Sequence, residues 1–434
     1  MTLARRLEEA LAGSALAGPL PPAVASFAER RGSDTAAQHL SEASLRGLAR
    51  AFVTRPEVAG FASHRPAWLE RVATLAPGAL ARRAEELAGG ASGVLSLPLE
   101  DALDALRLRR REEMALAACA DLGRIEPFVA VSEFLSRLAE GILADSLALA
   151  LRELHRADEA GLAVLGMGKL AGREQSYHSD LDLIFLARGG AEQIDGAARL
   201  GQRLISYLTT MTGAGVAYEV DTRLRPSGRQ GMLVTTYEAF LRYQTQEAQT
   251  WEHLAVLRAR AVAGDAEAAA WLARVHAQVL ARREPPWAEL APLRRRVEAE
   301  RAHDTGGRVA LKTGPGGLMD VDFLAGGGLL ERGAARLPEV PSVPALLRAC
   351  ASGTRVDALI ADYQTLRGVE ARARWLAGRG VDTLEAPTAP IVAELVEPGL
   401  DAADLSARIQ AARVRIRAAF DAVVKSGSID ALGR

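Results

Sequence analysis

The stretch GLAVLGMGKLAGREQSYHSDLDLIFLA, residues 161–187, sets acidic side chains at the mouth of an apolar strand, and that pattern constrains the chain more than any other. GLAVLG (161–166) is a short apolar run ending at glycine, which suits a buried strand. GKLAGREQSYHS has the polarity of a loop. DLDLIFLA (180–187) then alternates, with Asp180, Asp182, Ile184 and Leu186 on one face and Leu181, Leu183 and Phe185 on the other. Carboxylates two positions apart on a strand point the same way and repel. The arrangement becomes favourable when divalent cations sit between them. Hard oxygen ligands with an open coordination sphere suit Mg²⁺, which takes carboxylates plus substrate phosphates. The glycine turn at Gly166 and Gly168 lets backbone N–H groups approach a triphosphate. Lys169 adds positive charge there, and Ser179 stands beside the first aspartate. A lone Asp-x-Asp is common on exposed strand edges, and a lone glycine turn is ordinary. Their spacing, joined to a second acid-bearing strand, is what makes the signal specific.

That second strand is expected in VAYEVDTRLRP (216–226), closed by Pro226, with Glu219, Asp221, Arg223 and Arg225 on one face. A two-metal phosphoryl site takes a third carboxylate from a neighbouring strand. Asp221 is the candidate and Glu219 the reserve. The expected catalytic and metal-binding set is therefore Asp180, Asp182 and Asp221. Gly166, Gly168, Lys169, Ser179 and Arg223 are expected on ATP, with Arg223 balancing the carboxylates or clamping phosphate. Lys312, in the glycine-rich TGGRVALKTGPGG (305–317), either reaches a nucleotide or caps a domain joint. His178 stands where it could touch a phosphate, although loop histidines more often face solvent. His253 reads as a packing or helix-surface residue, and Trp287 and Trp375 as core.

Helical patterns flank this segment. Residues 1–130 are expected as an N-terminal helical region, 131–284 as the mixed α+β domain with a small mixed sheet, and 285–434 as a C-terminal helical bundle. In the first region Leu103, Leu106, Leu108, Met114 and Leu116 recur at helical steps, with Gly123 as a stop, and Ser132 is an expected N-cap further on. Leu200, Leu204, Leu208 and Met211 form another stripe, residues 230–282 return to helix, and Pro285-Pro286 marks a boundary. Leu405, Ile409, Ile416, Phe420 and Val423 line the last helix.

Charge bounds the partners. Lys+Arg 53 nearly cancels Asp+Glu 54, which gives no electrostatic argument for nucleic acid or an anionic membrane. The first residues, MTLARRLEEAL, carry Glu8 and Glu9 where a signal peptide would be apolar, so an amphipathic helix is expected. Cys119 and Cys350, without metal-ligand spacing, read as reduced thiols of a cytoplasmic protein.

The glycine turn followed by Asp-x-Asp resembles the Gly-[Gly or Ser]…Asp-x-Asp signature of the polymerase-beta-like nucleotidyltransferase superfamily. A closer resemblance is to glutamine synthetase adenylyltransferase, carried by GMGKLAGREQSYHSDLDLIFL, by YEVDTRLRPSGRQGMLVTTYEAFLRYQTQEAQTWEHLAVLRARAVAGD (218–265) and by LKTGPGGLMDVDF (311–323). That family usually joins two such units, one adding AMP to a tyrosine of glutamine synthetase and one removing it by phosphorolysis. Tyr218-Glu219-Val220-Asp221 with Ser227, Thr250-Trp251-Glu252-His253, and Leu311-Lys312 with Met319-Asp320 are similar to the adding unit. The resemblance implies Mg²⁺ and ATP, glutamine synthetase as substrate, and the nitrogen regulatory PII protein as a partner. Its rivals are phosphorolytic removal, another acceptor, or nucleotide sensing without turnover. The chain departs from the family at Ala171, where glycine is usual, at Asp322, where glutamate is usual, and at Gly326 to Gly328, where a glutamine is common.

Overall fold

The computed structural model describes residues 1–88, 93–154, 161–283, 285–302, 304–333 and 337–433. Glu284, the last residue of the expected middle region, and Arg434 lie outside them. Five strands form the main sheet: β1 (Leu162–Met167), β2 (Leu181–Ala187), β3 (Val220–Asp221), β4 (Val234–Thr236) and β5 (Ala259–Gly264). β1 pairs antiparallel with β2, from Leu162 opposite Ala187 to Gly166 opposite Leu183, and antiparallel with β5 on its other edge. β3 and β4 lie parallel along the free edge of β2, against Leu181–Asp182 and Phe185–Ala187 respectively. The sheet is small and mixed, and helices cover it on both sides, as expected for an α+β chain.

Each face of the β1–β2 pair belongs to a different core. Leu162, Val164, Leu181, Leu183 and Phe185 pack with the helices Leu99–Leu122, Phe128–Glu153 and Ala191–Thr209. Burying a side chain such as Phe185 contributes about 2–3 kcal/mol. Ala163, Leu165, Met167, Ile184 and Leu186 join the helices Ala268–Leu280, Leu318–Arg332, Thr354–Ala377 and Ala402–Ser426. Because side chains alternate, Asp182 shares the face of Ile184 and Leu186, and so opens toward the C-terminal helices.

Many expectations hold. Leu3, Leu7 and Leu11 are buried on an N-terminal helix, Leu3–Leu11. Gly123 ends the Leu99–Leu122 helix, and the last helix buries its five expected residues. Trp287, Trp375 and both free cysteines are buried. Among the described residues no helix is long and apolar enough to cross a membrane.

Others are corrected. The strand expected over 216–226 shrinks to Val220–Asp221, because the chain turns directly after it, with the Arg223 N–H donating to the Asp221 carboxylate at 2.8 Å and the Arg225 N–H to the Thr222 carbonyl at 3.4 Å. Arg225 folds back onto the Thr222 and Gly231 carbonyls instead of extending the strand. Residues 230–282 hold β4 and β5 as well as helices. The alanines of β5 favour helix intrinsically, and only the ladder to β1 overrides them. The glycine-rich joint contributes β6 (Arg308–Ala310), paired with β7 (Thr383–Glu385). A Cβ on Gly316 (φ 70°) would lie 1.9 Å from the Arg413 carbonyl oxygen, so that joint needs glycine to seat the last helix. Ser132 sits inside its helix, which starts after Pro127, and its hydroxyl donates to the Gln175 carbonyl. Met211 lies past the end of its helix at Thr209 and is exposed.

Candidate active site

Asp180, Asp182 and Asp221 converge: one carboxylate oxygen from each lies within 4.8 Å of the others. The fold builds this from backbone register. Asp182 and Asp221 stand opposite each other on β2 and β3, and Leu181 N–H donates to the Glu219 carbonyl at 2.9 Å. Asp180 sits one residue before β2 and is exposed. Burial first, then the Asp180 charge with Asp221 adding to it, pushes the Asp182 carboxyl up to about 6. Hard oxygen donors this close, with a carboxyl that resists ionising beside its neighbours, match the donor set of a divalent cation. Glu219, the reserve ligand, is exposed on the wall of the adjoining cleft and stands outside the cluster.

The glycine turn divides its labour. Gly168 (φ 52°) takes a backbone conformation that favours glycine, and a Cβ there would point 3.7 Å from Asp182 Oδ2. Its N–H donates to the Arg258 carbonyl at 2.9 Å. Gly166 meets packing instead: a Cβ would lie 2.9 Å from Leu170 Cδ2 and Val262 Cγ1. Lys169 does not reach toward the carboxylates as a free cation. Its Nζ donates to Glu370 Oε1 at 2.8 Å, on the Thr354–Ala377 helix. Burial alone would raise Glu370, but Lys169, Arg367 and Arg374 together hold it well below the carboxylate range.

A cleft of about 720 Å³ opens beside Asp180, with Ser179, His178, Arg110, Lys312 and Arg374 on its walls. The Ser179 hydroxyl accepts from Ser176 N–H (3.1 Å) and from Arg374 (3.3 Å). His178 is kept neutral, lowered to about 3 by burial and then by Arg110, Arg55 and Arg374; its Nε2 lies 3.2 Å from Arg55 Nη1. Arg223 turns back on Asp221, its Nε donating at 2.7 Å to Oδ2 and its backbone N–H at 2.8 Å to Oδ1. His253 is buried, with Nε2 2.9 Å from the Gln244 carbonyl.

Sequence reasoning missed the frame behind these residues. Arg258 pairs with Glu174 (2.7 Å) and Asp322 (2.8 Å), and Glu174 also accepts from Tyr363 OH (3.0 Å). Tyr177 OH donates to the buried Asp121 at 2.8 Å, which Arg372 also contacts. The polar loop before β2 is thus pinned from both cores. Charged residues between apolar ones on the Thr354–Ala377 helix, as at Glu370 and Arg367, were the available signal. The unusual glycines also find a reason. A Cβ on Gly326, Gly327 or Gly328 would come within 2.7 Å of Leu254, Trp287 or Cys350 respectively.

The chain also resembles known proteins over its middle. The family model described as glutamate-ammonia ligase adenylyltransferase matches residues 45–275. The bifunctional glutamine synthetase adenylyltransferase/adenylyl-removing enzyme of Thioalkalivibrio sulfidiphilus is 40% identical over 252 residues, covering 52% of this chain and 26% of that protein. The protein of the same description from Xanthomonas campestris pv. campestris (strain ATCC 33913) is 36% identical over 327 residues, 70% of this chain and 32% of its own length. The chain therefore spans about a quarter to a third of the curated relatives it matches. With its matched region holding the sheet and all three clustered aspartates, this chain belongs to the glutamate-ammonia ligase adenylyltransferase family.

Proposed function

We propose that this chain is a Mg²⁺-dependent adenylyltransferase that moves AMP from ATP to a tyrosine of glutamine synthetase and releases pyrophosphate. The observation that carries the reading is the convergence of Asp180, Asp182 and Asp221 beside an open, cation-lined cleft. On the family resemblance, glutamine synthetase is the protein substrate and the nitrogen regulatory PII protein a regulatory partner.

Bound Mg²⁺ would neutralise the triphosphate and acidify the attacking hydroxyl. Asp180, Asp182 and Asp221 would hold it, and the chain's own work is alignment. Asp182 is fixed by the buried Leu181 and Leu183 on either side of it, and Gly168 leaves room beside its carboxylate for a phosphate oxygen. The tyrosine oxygen attacks the α-phosphorus, the bond from that phosphorus to the bridging oxygen breaks, and pyrophosphate leaves with the electron pair while the proton passes to solvent. No covalent nucleophile is required.

Phosphorolytic removal is the second reading, favoured by the relatives' double description. A paired assay separates them. ATP with unmodified glutamine synthetase should give AMP-tyrosine by mass spectrometry and free pyrophosphate. Inorganic phosphate with adenylylated glutamine synthetase should give little ADP. Efficient ADP release without pyrophosphate reverses the assignment, and release of neither removes glutamine synthetase as the acceptor.

A further inference from the structure

Resting on the nucleotide-transfer reading, we propose that Lys312, not Lys169, is the cation that grips the phosphate tail of the bound nucleotide. The glycine-turn lysine is the obvious candidate by sequence, but its ammonium is tied to Glu370 at 2.8 Å. Glu370 is completely buried and also pairs with Arg367 and Arg374. Moving Lys169 to a phosphate would break its contact with a fully buried carboxylate, which is costly.

The cleft holds other cations, and most are committed. Arg110 lies over the Tyr218 ring, its guanidinium carbon 4.5 Å from the centroid. Arg374 donates to Ser179 Oγ at 3.3 Å and to the Val381 carbonyl at 2.7 Å. Arg379 is exposed on the cleft wall. Lys312 differs from Arg110 and Arg374 in its lack of a partner and from Arg379 in its burial. It is half-buried, lines the same cleft as Asp180, and among the described residues its ammonium has no ion pair or hydrogen bond.

Its backbone is also fixed. Leu311 N–H donates to the Asp382 carbonyl at 2.9 Å, the Leu311 carbonyl accepts from Leu318 at 3.0 Å, and the Lys312 carbonyl accepts from Met319 at 3.1 Å. A cation held on a rigid turn loses little freedom when it binds an anion. The apolar residues Met211, Val216 and Ala217 also line the cleft. That polarity sorts a nucleotide, with its base against these residues and its tail between Lys312 and the aspartates.

Calorimetric titration of the full chain with ATP and with AMP, in Mg²⁺, tests this without a protein acceptor. Lys312→Ala should weaken ATP binding about 10- to 100-fold, the scale of losing a charge-assisted contact, and change AMP binding less than about twofold. Lys312→Arg should recover most of the loss. Lys169→Ala should lower the melting temperature while keeping the ATP-to-AMP affinity ratio. An unchanged ratio in Lys312→Ala, or a collapsed one in Lys169→Ala, overturns the assignment. Tight ATP binding by wild type with an unchanged ratio in Lys312→Ala defeats this inference alone. No nucleotide binding by wild type defeats the transfer reading with it.

Discussion

Asp182 and Asp221 face each other across one strand register, yet they are held in opposite ways. Asp182 lies on a seven-residue strand, between Leu181 and Leu183, both fully buried. Asp221 lies on a two-residue edge strand that gives way to a turn, with the exposed Arg223 folded onto its carboxylate. The first is a fixed ligand whose environment resists its charge. The second is an adjustable ligand whose charge already has a partner. A site that must admit a nucleotide and a protein acceptor, then release both products, gains from having one of each.

The largest expected effect falls on the fixed side. Asp182→Asn should cut transfer by about three orders of magnitude or more, the scale of losing a preorganised charge-stabilising group. It should also stabilise the metal-free chain. The folded carboxyl, at about 6, sits above its ordinary 3.8, so the folded state holds the proton more tightly. Stability therefore falls as pH rises from 3.8 toward 6 and stays low above it, by on the order of 2–3 kcal/mol. Thermal melts without metal should show Asp182→Asn melting a few degrees above wild type at pH 7.5 and close to it at pH 4. Mg²⁺ should then raise the wild-type melting temperature and leave the variant's unmoved. A folded variant that transfers AMP like wild type would remove Asp182 from the site.

The next effect compares the two acids near the adjustable position. Asp221→Asn should cost transfer at least about tenfold more than Glu219→Gln, because Asp221 joins the cluster and Glu219 stands outside it. The measurement is initial rate at saturating ATP, with circular dichroism to show both variants folded. The reverse order would mean that the chain slips by two residues at β3 when substrate binds, making Glu219 the ligand.

The legibility of the sequence follows the same division. The β1–β2 pair was readable because its burial pattern is written in large apolar residues with two acids out of place. β3 was readable as an acid-bearing strand but not in length, since the turn after it is closed by the Asp221 carboxylate accepting from the Arg223 N–H, which alternation of residue types does not announce. β5 was hidden because alanine marks helix by propensity, and only pairing with β1 makes Ala259–Gly264 a strand. Lys169 followed a local rule, a lysine after a glycine turn. Its actual partner, Glu370, lies far along the chain, and such a pairing is set by tertiary packing. Local periodicity carries local geometry; it does not carry which buried charges meet.

The smallest effect probes the Arg223 contact itself. Four hydrogen bonds join Arg223 to Asp221, one from the backbone N–H at 2.8 Å and three from the guanidinium. The arginine side chain is 61% exposed, so water and salt screen the pair. An exposed ion pair contributes only about 0.2–1 kcal/mol. Metal ion must displace at least part of this contact to use both Asp221 oxygens, so Arg223→Gln should tighten Mg²⁺ binding by only about 1.5- to 5-fold. The gain should shrink as ionic strength rises, because salt already weakens the pair in wild type. Titrating Mg²⁺ by calorimetry at low and at high ionic strength reads both expectations. If Arg223→Gln weakens Mg²⁺ binding instead, the arginine orients Asp221 for the metal and does not compete with it, and the edge strand is as fixed as β2.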